Sequence, residues 1–184
     1  MTIQVKGLRK KYFNKEAVKG VDFTIEPESI IGLLGRNGAG KSTVLNMIAR
    51  RIEKTSGDIT LDGVDLHKTP RAMHQVYLSS TENWFPKEYK FKDLLSIYKR
   101  TYPEFDSEFA EDLIKVFGVN VKERFSKAST GYQSIMKIIL ALCNPSEYIF
   151  MDEPVLGLDA NHRHIFNKKL LEAYARNPRT FVIA

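Results

Sequence analysis

The amino-acid sequence predicts an α/β fold with a parallel-sheet core, an antiparallel β subdomain at the N-terminus and a helical subdomain inserted over about 85–145. Three observations predict it. Two N-terminal stretches alternate apolar and polar residues with a period of two, the pattern of half-buried antiparallel strands. A short apolar run, a glycine-rich loop and an apolar helical repeat then follow in that order between Ser29 and Ala49. From Phe85 to Asn144 the apolar spacing becomes helical.

Taken in order, Ile3 and Val5 alternate with Gln4 and Lys6, and Val21, Phe23 and Ile25 alternate with Asp22, Thr24 and Glu26, giving two strands. Residues 11–15 between them read as a polar turn carrying two aromatics, Tyr12 and Phe13. Ser29-Ile30-Ile31-Gly32-Leu33-Leu34 reads as a short buried strand, and Val44, Leu45, Ile48 and Ala49 mark a helix to about Arg51. Residues 59–66 alternate around Asp62-Gly63, a strong hairpin signal. Pro70 opens a short helix, and Val76-Tyr77-Leu78 returns to strand.

Three helical repeats fill the middle: Phe91, Leu94, Leu95 and Tyr98; Phe109, Leu113, Ile114 and Phe117; Ile135, Met136, Ile139 and Leu140. Ser107 is the expected N-cap of the second and Gly118 its stop. Tyr148-Ile149-Phe150-Met151 reads as a buried strand ending on Asp152-Glu153-Pro154. Asp159 caps a helix from about Ala160 to Ala175, and Thr180 to Ala184 form a last strand, expected to be an uncovered edge.

At 184 residues, 43% hydrophobic and 27% charged, the chain suits a globular domain with a sizeable core. No apolar run approaches the ~20 residues of a membrane span, and Met1-Thr2-Ile3-Gln4-Val5 contains no secretory h-region. The single cysteine, Cys143, excludes an internal disulfide and suits a reducing compartment; its apolar neighbours point to packing, not catalysis. The net charge of +6 is scattered along the chain, as solvated faces are, so no direct nucleic-acid contact is expected. His162 and His164 lie two apart on a helix and share no face, which argues against a metal pair.

The chemistry concentrates in Gly35-Arg36-Asn37-Gly38-Ala39-Gly40-Lys41-Ser42-Thr43, a full match to G-x-x-x-x-G-K-[ST] between strand and helix. Its glycines let backbone N–H groups converge on phosphate oxygens, and the helix N-terminus adds its positive dipole end. Gly35, Asn37, Gly38, Ala39, Gly40 and Thr43 therefore cradle phosphate, Lys41 reaches the β- and γ-phosphates, and Ser42 ligates Mg²⁺. The core is thereby that of a P-loop NTPase. More than a hundred residues later, an apolar strand runs into Asp152 and Glu153. Asp152 is the second expected Mg²⁺ group, and Glu153 the residue that polarises an attacking water.

Gly35 to Thr43, Met151-Asp152-Glu153-Pro154 and Gly157-Leu158-Asp159, in this order around a helical insert, resemble the nucleotide-binding domain of ABC transporters over essentially the whole chain. The resemblance implies an ATPase that binds Mg-ATP and pairs head-to-tail with a second cassette, each ATP lying between one phosphate loop and the partner's signature motif. It implies an integral-membrane permease as partner, and a cytoplasmic location on the inner face of the membrane. Gly157-Leu158-Asp159 matches the D-loop, and Tyr12 the aromatic that stacks on adenine.

Three departures stand beside the match. The signature, usually Leu-Ser-Gly-Gly-Gln, is Ala128-Ser129-Thr130-Gly131-Tyr132 here. Ser129 and Gly131 remain to face the partner's γ-phosphate, while Thr130 and Tyr132 are expected to add bulk at that surface. In the Q-loop, Ser80 stands where the family places glutamine, leaving the metal to Glu82 or a bridging water. The family's switch histidine would follow the last strand and is missing, as though a longer cassette continued beyond Ala184. A soluble ABC ATPase of translation or DNA repair, and a module that binds nucleotide without turnover, are the alternatives. A GTPase is disfavoured because Asn167-Lys168-Lys169-Leu170 lacks the final aspartate of a guanine-reading motif.

Overall fold

The computed structural model describes residues 1–184 as eight strands and six α-helices, grouped into two compact units. The first unit comprises Met1–Leu78, Ser146–Asp152 and Arg179–Ala184; the second comprises Ser79–Pro145 and Glu153–Pro178.

The first unit holds both sheets. One is antiparallel, in the order β2-β1-β4-β5, from β1 (Ile3–Tyr12), β2 (Lys15–Ile25), β4 (Ser56–Leu61) and β5 (Val64–Asp65). Alternation drives the pairing: Ile3, Val5, Leu8, Ile59 and Leu61 turn into one apolar core while their neighbours stay out. The β4–β5 turn is Asp62-Gly63 with φ of 48° and 79°, the mirror-image turn that matches strand twist. The expected turn at 11–15 is tighter, because β1 runs to Tyr12 and β2 starts at Lys15.

The other sheet runs β3-β8-β7-β6, from β3 (Ile30–Gly32), β6 (Val76–Ser79), β7 (Tyr148–Met151) and β8 (Thr180–Ile183). Two expectations change here. The final strand is no edge: β8 pairs in parallel with β3 on one side and β7 on the other, and Phe181 and Val182 are buried. Besides β6, the edge is β3, the stretch read as buried. Its hydrogen-bonded neighbour is β8, and Ile30 and Leu34 are 38% and 93% exposed. An apolar run is buried only where tertiary structure covers both its faces. α1 (Lys41–Ile48) and α2 (Pro70–Met73) complete the unit, α1 stopping short of Arg51 as Arg50 enters the left-handed region at φ 53°.

The second unit is helical: α3 (Phe91–Thr101), α4 (Ser107–Val116), α5 (Thr130–Leu142) and α6 (Ala160–Arg176), with a single 3₁₀ turn over Phe125–Lys127. α5 is the packing centre, in contact with α3, α4 and α6, and Ile135, Met136 and all of 138–142 are buried. The cap of α4 is Asp106, which accepts from the Phe109 N–H at 2.9 Å; Ser107 is already helical, so the cap lies one residue earlier than expected. Gly118, at φ 65°, ends α4 as expected: its N–H bonds the Lys115 carbonyl and the Val119 N–H reaches back to Ile114, a Schellman closure. α6 is tied to α4 by Lys169, whose ammonium lies 2.6 Å from Asp112 and 2.8 Å from Glu172.

Candidate functional site

Register places the first unit's chemistry. Gly32 of β3 and Met151 of β7 both pair with Ile183 of β8, one from each side. Parallel strands in this register release their chains at one end of the sheet, so the loop after β3 and the acid after β7 emerge together, the usual ligand position in such sheets. The two meet: Ser42 Oγ donates to Asp152 Oδ1 at 3.0 Å across 110 residues of sequence. Asp152 is 4% exposed, so a nearly buried carboxylate and a hydroxyl face each other. Two hard oxygen donors of this kind fit Mg²⁺.

The loop itself is exposed. Gly38 and Gly40 have φ of 81° and 94°, and Gly40 serves as N-cap of α1. A Cβ on Gly40 would lie 2.7 Å from the Ala17 carbonyl oxygen, so glycine is needed there for space as well as for conformation. That contact also seats β2, and with it the hairpin carrying Tyr12, against the start of α1. Lys41 folds back on its own loop, its ammonium donating to the Gly35 carbonyl at 2.9 Å. No acidic residue occupies the first turn of α1, leaving its N–H groups and dipole to an anion. Tyr12 is 42% exposed with the Lys10 ammonium 4.8 Å from its ring centre, and Phe13 at the hairpin tip is 99% exposed at φ 47°.

Glu153 follows Asp152 directly and is exposed, with φ 47°. A non-glycine residue in this region costs on the order of 1–2 kcal/mol, and such outliers cluster at functional sites. The sequence carried no sign of this strain.

In the second unit, Ser129 is the N-cap of α5, accepting from the Tyr132 N–H at 3.2 Å. Tyr132 is half-buried. Its hydroxyl accepts from the Asn120 N–H, which folds the ring back onto the segment after α4. Gly131 is fixed by packing: a Cβ there would overlap the Gly157 carbonyl, and one on Gly157 would lie 2.8 Å from the Gly131 nitrogen. The matched signature and D-loop segments thus cross glycine on glycine. Ser134 Oγ adds a bond to the Leu156 carbonyl at 2.8 Å. Asp159 caps α6 through the His162 N–H at 2.8 Å; that bond, then one from the His162 ring, holds its carboxyl below the usual range.

Ser80, at the Q-loop position, is 5% exposed and its hydroxyl is turned onto the Glu82 carbonyl of its own loop. Residues the sequence did not single out hold this region. Lys137 donates to the carbonyls of Ser80, Thr81 and Glu82 at 2.8, 2.8 and 3.1 Å. Gln133, one turn earlier, donates to the carbonyls of Phe125 and Ala128 at 3.1 Å each. The available signal was Gln133 and Lys137 four apart on one helix face, with Lys137 standing alone in the apolar run from Ile135 to Leu142.

Comparison with known proteins shows the family. The family model described as ABC transporter matches residues 18–156. The chain is 32% identical over 181 residues to the ABC transporter ATP-binding protein YtrB of Bacillus subtilis (strain 168), covering 98% of this chain and 62% of that protein. It is 34% identical over 176 residues to the ABC transporter ATP-binding protein NatA of the same organism, covering 92% of this chain and 71% of that one. The chain thus spans about two thirds of the length of these relatives. In fold it is similar to a solved ATP-binding subunit of an ABC transporter, with TM-score 0.84 at 23% identity, covering all of this chain and 79% of that one. No helix is long and apolar enough to cross a membrane. By the family model and these relatives, the chain belongs to the ABC transporter family as one of its ATP-binding members.

Proposed function

We propose that the chain is the ATP-hydrolysing subunit of an ABC membrane transporter, coupling turnover to a separate permease from the cytoplasmic face of the membrane. The observation that carries this is the Ser42–Asp152 pair at 3.0 Å, which joins phosphate loop and acidic strand end in one oxygen-lined site. Mg²⁺ held by Ser42 and Asp152 would supply charge neutralisation on the β- and γ-phosphates.

The chain's own groups divide the remaining work. The N–H groups of the loop from Gly35 through Asn37, Gly38, Ala39 and Gly40 to Thr43 bind phosphate oxygens. Lys41 exchanges its bond to the Gly35 carbonyl for the β- and γ-phosphates and stabilises charge as the bond breaks. Glu153 orients a water in line with the γ-phosphate and accepts its proton. Tyr12 stacks on the adenine. Ser129 and Gly131 close on the γ-phosphate held by a second cassette, so two chains share each ATP.

The test compares the wild-type chain with Glu153→Gln for nucleotide affinity, by fluorescence of a labelled ATP, and for phosphate release. The expected result is affinity within about threefold and turnover reduced by roughly 10²–10⁴, with wild-type turnover per chain rising with chain concentration as pairs form. Equal turnover in the two would remove Glu153 from the chemistry. ATP binding without any wild-type turnover would leave a nucleotide-binding module.

A further inference from the structure

Lys137 lies on α5, one turn beyond Gln133 on the same face. An ammonium has three hydrogens to donate, and here it faces three successive carbonyls, of Ser80, Thr81 and Glu82, at 2.8, 2.8 and 3.1 Å. The bonds grip backbone, so they set the path of the loop whatever its side chains are. The ammonium also lies 5.9 Å from the ring centre of Phe125, which meets Phe85 edge to face at 4.9 Å. Gln133 holds the turn that leads into Ser129, and Ser134 with Gly131 holds the segment at Leu156 and Gly157. The first two turns of α5 therefore grip three loops far apart in sequence. Lys137 is the cation among the gripping groups, and it holds the loop that continues directly from β6.

We propose that Lys137 is a positioning residue: it fastens loop 80–82 to α5, so that this loop and the Ser129 cap move as one body when ATP binds and is hydrolysed. The inference rests on the hydrolytic reading above for its effect on turnover, but the fastening itself is read separately. The loop is thus located by its carbonyls, with the Ser80 hydroxyl adding a bond to the Glu82 carbonyl.

The experiment uses the full chain with Lys137→Met, which keeps a long apolar stem over Phe125 and loses the three donors, and Lys137→Arg, which keeps the charge. Lys137→Met is expected to raise amide hydrogen exchange across residues 79–84 by about tenfold or more, with peptides from β1 and β2 unchanged. ATP affinity stays within about twofold, while kcat falls about tenfold. Lys137→Arg recovers at least part of both the exchange protection and kcat. Wild-type exchange in Lys137→Met, a rise spread over the whole chain, or faster loop exchange with unchanged kcat would each overturn the proposal. Should the wild type bind ATP without hydrolysing it, the hydrolytic reading fails on its own account. The fastening is then decided by exchange with Mg-ATP: added protection at 79–84 in the wild type, absent in Lys137→Met, supports it, and equal protection in both overturns it.

Discussion

Tyr148 shows what a single side chain can report. It is fully buried on β7, and its hydroxyl donates to the Met1 carbonyl, pinning the N-terminus to the parallel sheet. Burial first, and then the charges of Glu147, Asp62 and Glu26, push its phenol up to about 12 from 10. A group raised on folding stabilises fully below its unfolded value and loses that contribution as pH climbs through its folded one. The window is therefore pH 10 to 12. By pH 11 the loss amounts to about 1.4 kcal/mol. Urea denaturation at pH 8 and pH 11 should show the wild type losing about that much more stability than Tyr148→Phe; parallel losses would show that the phenol is not insulated. Such residues were only partly legible. The sequence marked Tyr148 as buried, but its partner lies 147 residues away. The cap of α4 is Asp106 and not the neighbouring Ser107 because aspartate and serine cap equally well and only the chain's path chooses between them.

At the scale of elements, α5 does more than its apolar repeat suggests. Its buried half packs the helical unit, while its first two turns hold loops through Gly131, Gln133, Ser134 and Lys137. The Gly131–Gly157 crossing yields a stability prediction. Gly131→Ala forces a methyl into the Gly157 carbonyl and should cost about 1–3 kcal/mol in urea unfolding. Gly118→Ala is the control, with φ 65° and open space around a Cβ, and should cost only the left-handed strain of about 1–2 kcal/mol. Added crowding separates the two positions: the Gly131→Ala variant should also speed hydrogen exchange at 155–158, and Gly118→Ala should not. No exchange change at 155–158 in Gly131→Ala would refute the crossing. The motif match had assigned Gly131 to a phosphate-facing role; the packing supplies a second, local reason for glycine there.

For the whole molecule, ligand linkage is the informative measurement. Mg-ATP at about a hundred times its Kd should stabilise the chain by ~2.7 kcal/mol, which for this length raises Tm by about 5–10 °C. Lys41→Ala should lose most of that shift in calorimetry, and chelating Mg²⁺ should reduce it for the wild type. A full shift in Lys41→Ala would separate nucleotide binding from the phosphate loop.

Local chemistry and periodicity were sufficient for much of this protein. The phosphate loop, the acid pair after β7, the Asp62-Gly63 turn, the Asp159 cap and the helical middle all depend on neighbours within one turn or one strand, so they can be read along the chain. Tertiary structure alone decided which strand lies central and which at the edge. It brought Ser42 to Asp152 across 110 residues, turned Tyr132 back onto Asn120, crossed Gly131 with Gly157 and set Lys137 over three carbonyls. Strand order and loop capture are long-range pairings whose free energy is shared by residues far apart in sequence, and periodicity carries no record of a partner that distant.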